Sequence, residues 1–396
     1  MEYTIGFWIL LIAFMVSVAA IFYSYALYPW LIFSLSRNKK LHLEHYTAED
    51  DLPFLSIIIS AYNEESVIAD KIHSVFATRY PQHRFEVLVG SDASSDDTNA
   101  ILKGLAEEYP QLHFYPYRER RGKGNVINAL YKEAGGEILV FTDANVIFEE
   151  DTLYELIRFF KDDRVGLADT NMINTNTNNE GISLQEKSYI SREVKIKHSE
   201  SILWGTMMGP FGGCFAVRKK LFVPVPKNFL VDDFYINMKV LEAGYLCINN
   251  PEARVYEEVP SDLGAEFYRK KRIATGNFQN LRAFSGMLWH KTPGLSFSYI
   301  SHKVIRWLGP FFMLIAFIAN VLLAFYHAVF LYVLLLHAIL LVLPLIDYIL
   351  KKFHIHNRIL RFISHFYGMN LAMFLGFFKS LKKIETNVWK PTARKS

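Results

Sequence analysis

The chain has 396 residues, 51% of them hydrophobic and 15% aromatic, with a net charge of +4. That length allows a large core and room for two domains, and a mean hydropathy of +0.13 is high for a purely soluble protein. The two cysteines, Cys214 and Cys247, sit among apolar residues without zinc-ligand spacing, which excludes a cysteine-built metal cluster and leaves a reduced compartment compatible.

The apolar excess is concentrated. No charged residue occurs from Ile5 to Phe33, and none from Trp307 to Ile346. A helix rising 1.5 Å per residue crosses a ~30 Å hydrocarbon layer in about 20 residues, so residues 1–36 are expected to form one membrane anchor. No basic residue precedes the run, and it is too long for a signal core, which argues against a cleaved leader. Arg37, Lys39 and Lys40 follow it and place the middle of the chain in the cytoplasm.

Residues 52–260 read as a globular domain in which apolar strands alternate with helices. "FLSIIISAY" (54–62) precedes a helical stretch from Glu64 to Thr78, and "FEVLVGSD" (85–92) precedes another over 95–109. A helix over 124–134 leads into "EILVFTDANV" (137–146), and "DTLYELIRFF" (151–160) follows. This alternation predicts an α/β, Rossmann-like, mostly parallel sheet with helices on both faces. The polar "TNMINTNTNNEG" (170–181) reads as a loop. Residues 261–300 are expected to be an amphipathic interface segment, because "YRKKR" (268–272) lies among Phe, Tyr and Leu. Within 301–380 the long apolar run is read as two spans turning near Phe325 to Ala328. A shorter run, Phe362 to Phe378, carries Ser364, His365, Gly368 and Asn370. A full crossing there would strand basic residues of the 381–396 tail outside, so an interfacial or re-entrant segment is expected.

Ligands of open α/β sheets collect beyond the carboxyl ends of the strands. Here those ends read "AYNEE", "GSDASSDDT" and "FTDAN". Burying such groups without partners is costly, so this mouth is expected to hold something that needs oxygen ligands. A Walker-type phosphate loop is absent, and "RGKGN" (121–125) lacks the third glycine and preceding strand of a dinucleotide fingerprint. Asp92, Asp143 and Asn145 offer hard oxygen ligands suited to Mg²⁺ or Mn²⁺ held together with phosphates. Lys123 and "YRKKR" offer positive charge. A nucleoside diphosphate leaving group needs that pairing.

The ordered set "SIIISAYNEE" (56–65), "GSDASSDDT" (90–98), "RGKGNVINAL" (121–130), "FTDAN" (141–145), "GPFGGCFAVRK" (209–219), "VDDFYINMKVLEAGY" (231–245) and "YRKKRIATG" (268–276) resembles the family 2 glycosyltransferases. These GT-A-fold enzymes include cellulose, hyaluronan and poly-N-acetylglucosamine synthases. The resemblance implies a GT-A catalytic domain flanked by transmembrane helices, in an integral protein of the inner or plasma membrane. It implies that Asn63 and Glu64 contact the nucleoside, that Asp92 meets the pyrimidine base of a UDP-sugar, and that Asp143 and Asn145 occupy the metal position. Asn145 departs from the usual second aspartate. Asp233 matches the catalytic base, with Asp232 read as helix cap, and Arg272 matches the arginine facing the diphosphate. Lys123 is either an anion contact before a helix or a solvated lysine. The glycines around Phe211 are either a turn or the acceptor side of the cleft. Ile273 and Arg269 replace the family's tryptophan and glutamine.

The expected activity is inverting transfer from a UDP-sugar to a glycan or lipid-linked acceptor in cell-surface polysaccharide synthesis, with no nucleic-acid partner. A processive synthase with a partner subunit or homo-oligomer supplying the channel is the alternative within the class. A nucleotidyltransferase, or a non-catalytic nucleotide-sugar-binding membrane protein, are the alternatives outside it.

Overall fold

A computed structural model of the chain describes residues 4–47, 49–175, 182–258, 263–353, 355 and 357–388. The basic tail therefore lies outside the described residues from 389 on, as does the polar stretch 176–181.

Helices α1 (Ile5–Phe22) and α2 (Tyr28–Ser36) join through a π turn into one apolar rod of 32 residues. Pro29, in the first turn of α2, donates no N–H to the ladder, and the wider turn at Tyr23–Leu27 absorbs the interruption. Eight strands follow among the described residues: β1 (Leu55–Ala61), β2 (Phe85–Asp92), β3 (Leu112–Tyr117), β4 (Ile138–Asp143), β5 (Val146–Phe148), β6 (Val165–Asn174), β7 (Cys214–Arg218) and β8 (Leu246–Glu257). They form one sheet in the order β3-β2-β1-β4-β7-β6-β8-β5.

The first four strands are parallel, linked by α3 (Ile68–Phe76), α4 (Thr98–Glu108) and α5 (Lys123–Glu133). Their register sets Ser60 opposite both Gly90 and Asp143, so their carboxyl ends open on one mouth. Side chains alternate between two cores. Ile57, Ile59, Val87 and Val140 pack on one face, and Ile58, Leu88, Leu139 and Phe141 on the other. Beyond β4 the sheet becomes mixed: β7 runs antiparallel to β4 and β6, whereas β6 and β8 are parallel. No crossover helix follows β4, which turns directly at Ala144–Asn145 into β5, so the next strand beside it enters from the opposite end. α6 (Thr152–Ile157) covers this half.

Two sequence expectations are corrected here. The segment from Thr170 to Asn174 is not loop but the end of β6, paired with β8. Its polar side chains find backbone partners: Thr170 donates to Cys214 O at 2.7 Å and Asn171 to Pro251 O at 3.0 Å. Asp232 does not cap its helix either. Val231 holds that position, and Asp232 is the first residue inside the helix.

The remaining helices are α7 (Ile182–Trp204), α8 (Asp232–Glu242), α9 (Leu263–Ala283), α10 (Leu295–Ser298), α11 (Ile305–Trp307), α12 (Gly309–Leu323), α13 (Val329–Lys352) and α14 (Arg358–Ser380). Among the described residues, Ile5–Ser36 and Val329–Lys352 are long and apolar enough to cross a membrane. Leu295–Trp307 and Gly309–Leu323, bent by 59°, make a third if taken as one broken span. α9 is enclosed between the sheet domain and α14, burying Ala274, Thr275, Phe278 and Asn280.

Candidate active site

Asp143 closes β4 at the common mouth. Its Oδ1 accepts from Lys123 Nζ at 2.6 Å, and the same ammonium lies 3.3 Å from Gly212 O. Lys123 can reach because Gly122, at φ 81°, turns the chain sharply into α5. Burial opposes charge on Lys123, but the Asp143, Asp232 and Asp233 carboxylates hold its pKa above the ordinary value. It is an ion-paired site residue rather than a solvated lysine.

Asp233, in the first turn of α8, faces the same space. Its Oδ1 accepts the Phe234 N–H at 2.6 Å. Gly212 leaves room for the other oxygen: a Cβ there would lie 2.5 Å from Asp233 Oδ2. Burial, then repulsion from Asp232, push the Asp233 carboxyl up to about 7, against the pull of Lys123. Oδ2 of Asp232 is buried without a hydrogen bond. Arg272, from α9, donates to Leu230 O at 2.8 Å, and its charge is felt by Asp232, Asp233 and Asp143. Burial lowers its pKa. The fold thus gathers Lys123, Asp143, Asp233 and Arg272 from four separate elements.

The other sequence candidates form a second group at the ends of β1 and β2. Asn63, at φ 52°, accepts the Ser95 N–H on its Oδ1 at 2.9 Å and donates its own N–H to Ser94 Oγ at 3.1 Å, tying the two strand ends together. The Glu64 N–H donates to Thr98 Oγ1 at 2.8 Å. Asp92 is buried, accepts from the Arg121 N–H at 2.6 Å and the Gly122 N–H at 2.9 Å, and forms an ion pair with Arg120, whose Nε lies 3.3 Å away. It therefore clamps the loop that delivers Lys123.

Several residues of the site escaped the sequence reading. Asp169 at β6 forms a fully buried ion pair with Lys197 of α7, accepts from Asn249 at 3.0 Å, and holds the Phe211 N–H at 3.1 Å. This network fixes the glycine loop against which Asp233 packs. Lys71, wholly buried, donates to Thr142 Oγ1 at 3.0 Å and Val146 O at 2.5 Å, so it straps the Asp143–Asn145 turn from below. Asn387, near the C-terminus, is buried against Gly122. Only Lys71 carried a signal, as a lysine on the apolar face of an amphipathic helix.

The fit to a divalent ion is limited but real. Among the described residues no three His, Cys, Asp or Glu gather around one point. Asp143 offers a half-exposed carboxylate, and Asn145, which donates to Glu257 Oε1 at 3.1 Å, keeps its amide oxygen as an acceptor. One carboxylate and one amide suit Mg²⁺ or Mn²⁺ bound mainly through substrate phosphates, not a closed protein cage.

The profile of the glycosyl transferase family 2 matches residues 56–223, from β1 past β7. The sheet domain is similar to that family over these residues. The chain is 27% identical over 237 residues to the poly-beta-1,6-N-acetyl-D-glucosamine synthase of Staphylococcus aureus, covering 59% of this chain and 56% of that one. The synthase of the same name from Staphylococcus epidermidis is 24% identical over 251 residues, 62% of this chain and 59% of that one. The chain thus matches little more than half the length of these curated relatives. A solved mannosyltransferase from Pyrobaculum calidifontis, in complex with GDP-Man and Mn²⁺, superposes with a TM-score of 0.72 over 94% of this chain and 99% of that one, at 22% identity. The two share a fold, the GT-A arrangement with its flanking helices.

Proposed function

We propose that this family 2 glycosyltransferase transfers a sugar, with inversion, from a UDP-sugar to a glycan or lipid-linked acceptor. The work takes place at the cytoplasmic face of the membrane, in cell-surface polysaccharide synthesis. The observation that carries the proposal is Asp233: a carboxylate with a pKa near 7, seated between Gly212 and the Lys123–Asp143 pair.

The donor lies across the strand ends. Asn63 and Glu64 hold the nucleoside end, and Asp92 acts through the loop it fixes and through remaining acceptor capacity toward the base. Asp233 takes the proton of an acceptor hydroxyl as that oxygen bonds to the anomeric carbon. The bond from that carbon to the diphosphate breaks, and the electron pair leaves with UDP. Lys123 and Arg272 stabilise the negative charge that develops there. Asp143 and the Asn145 oxygen would hold Mg²⁺ or Mn²⁺, which supplies further charge neutralisation when bound. General-base help of this kind is worth about 10²–10⁴ in rate.

Purified protein given UDP-N-acetylglucosamine, UDP-glucose and, as a contrasting base, GDP-mannose, each with Mn²⁺, should release UDP from a UDP donor. Asp233→Asn should lose nearly all of that release while still binding UDP. Full activity in Asp233→Asn would remove the base. Given UTP and a sugar 1-phosphate instead, release of pyrophosphate would make the protein a nucleotidyltransferase. The polymer-forming relatives favour a processive version, which product length on a gel decides.

A further inference from the structure

Between Asp233 and the apolar helices lies a cavity of ≈ 740 Å³, within the range of about 300–1,000 Å³ usual for small-molecule sites. Phe211, Gly212 and Asp233 form its catalytic end. Its opposite wall is Tyr25, from the N-terminal apolar rod, with Phe362, Phe366 and Met369 of α14. The rings of Tyr25 and Phe366 meet edge to face at 5.3 Å. The space therefore runs from the base to the N-terminal apolar rod and α14.

Its charge is one-sided. Among the described residues seven lysines and arginines line it, against two carboxylates, Glu193 and Asp233, and one of the seven, Lys197, is paired with Asp169. Pairing does not cancel the excess. Glu193 serves both Lys303 and Arg306, and Glu266, behind the wall, serves both Arg269 and Lys270. Arg192 and Arg358 add to the surplus, and Arg192 is tethered to the Tyr25 carbonyl at the membrane side. Such cations favour an anionic group over a neutral glycan, and an aromatic and aliphatic wall can take up a hydrocarbon chain.

We infer that the acceptor enters this cavity as a lipid phosphate. Its hydrocarbon chain lies against Tyr25, Phe362 and Phe366, its anionic phosphate among Arg192, Lys303 and Arg306, and the accepting hydroxyl of a sugar carried on that phosphate at Asp233. The inference rests on Asp233 being the base and names the chemical class of acceptor for that same site. Ile273, which lines the cavity, leaves it wide enough for a chain and headgroup together.

The test titrates the full chain in neutral detergent with farnesyl phosphate, farnesol, inorganic phosphate and N,N′-diacetylchitobiose, with UDP titrated in parallel. Farnesyl phosphate should bind at least about tenfold more tightly than farnesol or inorganic phosphate, the size expected for one charge-assisted hydrogen bond. Ile273→Trp, which fills the cavity, and Arg192→Gln, which removes a cation at its wall, should each weaken farnesyl phosphate about tenfold and leave UDP affinity unchanged. Equal binding of farnesol would reduce the site to an apolar slot, and equal binding of inorganic phosphate to a free anion site; either overturns the inference. So does displacement of farnesyl phosphate by the disaccharide, which would make the cavity a glycan site. Farnesyl phosphate affinity that neither variant changes overturns it as well. A wild-type protein that binds no UDP would instead overturn the glycosyltransferase reading.

Discussion

Gly212→Ala adds one methyl group beside the proposed base. At Gly212 the backbone is not in the left-handed region, unlike Gly209 at φ 78°, so alanine brings no backbone strain and the effect is purely one of contact. The new Cβ would lie 2.5 Å from Asp233 Oδ2, where ordinary contact begins at 3.4 Å. The carboxylate must therefore retreat by roughly 0.9 Å. It cannot retreat freely, because its other oxygen holds the Phe234 N–H at the start of α8. A misplacement of about 1 Å in a reacting group costs about 10²-fold in rate, equivalent to about 2.7 kcal/mol in the barrier. The assay is steady-state UDP release, with UDP affinity by calorimetry and the melting temperature measured on the same preparation. kcat should fall about 100-fold with UDP affinity unchanged. A kcat within threefold of wild type, in a protein that melts normally, refutes the placement of Asp233 at the reacting centre.

Because Asp233 must be ionised to accept a proton, and its pKa stands at about 7, kcat/KM should rise with pH to a half-maximum near 7. Asp232→Asn removes the neighbouring negative charge, so that limb should move to lower pH; a limb that stays in place refutes the coupling. Lys71 is pushed down to about 7 by burial, whereas an unfolded lysine titrates near 10.4. The unfolded chain thus holds the extra proton between those values, and stability should rise as pH rises through that window. Lys71→Met should flatten that rise in denaturant titrations at several pH values, and an unchanged slope would assign it elsewhere. Asn145→Asp adds a carboxylate next to Asp143 and Glu257, so half-saturation by Mn²⁺ in the UDP-release assay should fall about tenfold. An unchanged or higher value would show that position 145 does not face the ion.

Much of the domain was legible in the linear chain because local pattern sets local backbone. The apolar runs at 55–61, 85–92 and 138–143 gave strands, and the rule that ligands gather at strand ends pointed to Asp92 and Asp143 together. The sheet's second half was hidden. β6 ends in polar residues whose partners, Cys214 O and Pro251 O, come from β7 and β8. Strand pairing there is decided by neighbours distant in sequence, and period-two alternation cannot name them.

By itself, then, the amino-acid order determined the apolar helices, the α/β alternation and the chemical inventory of the proposed diphosphate site, since each depends on composition and spacing within one segment. Tertiary structure alone decided how that inventory is used. It paired Lys123 with Asp143, turned Asn145 to Glu257, put Asp169 and Lys197 beneath the glycine loop, and brought Asn387 against Gly122. The reason is physical: the energy of a charge or a buried amide depends on what lies within a few ångströms of it, and those neighbours are chosen by the order of strands in the sheet.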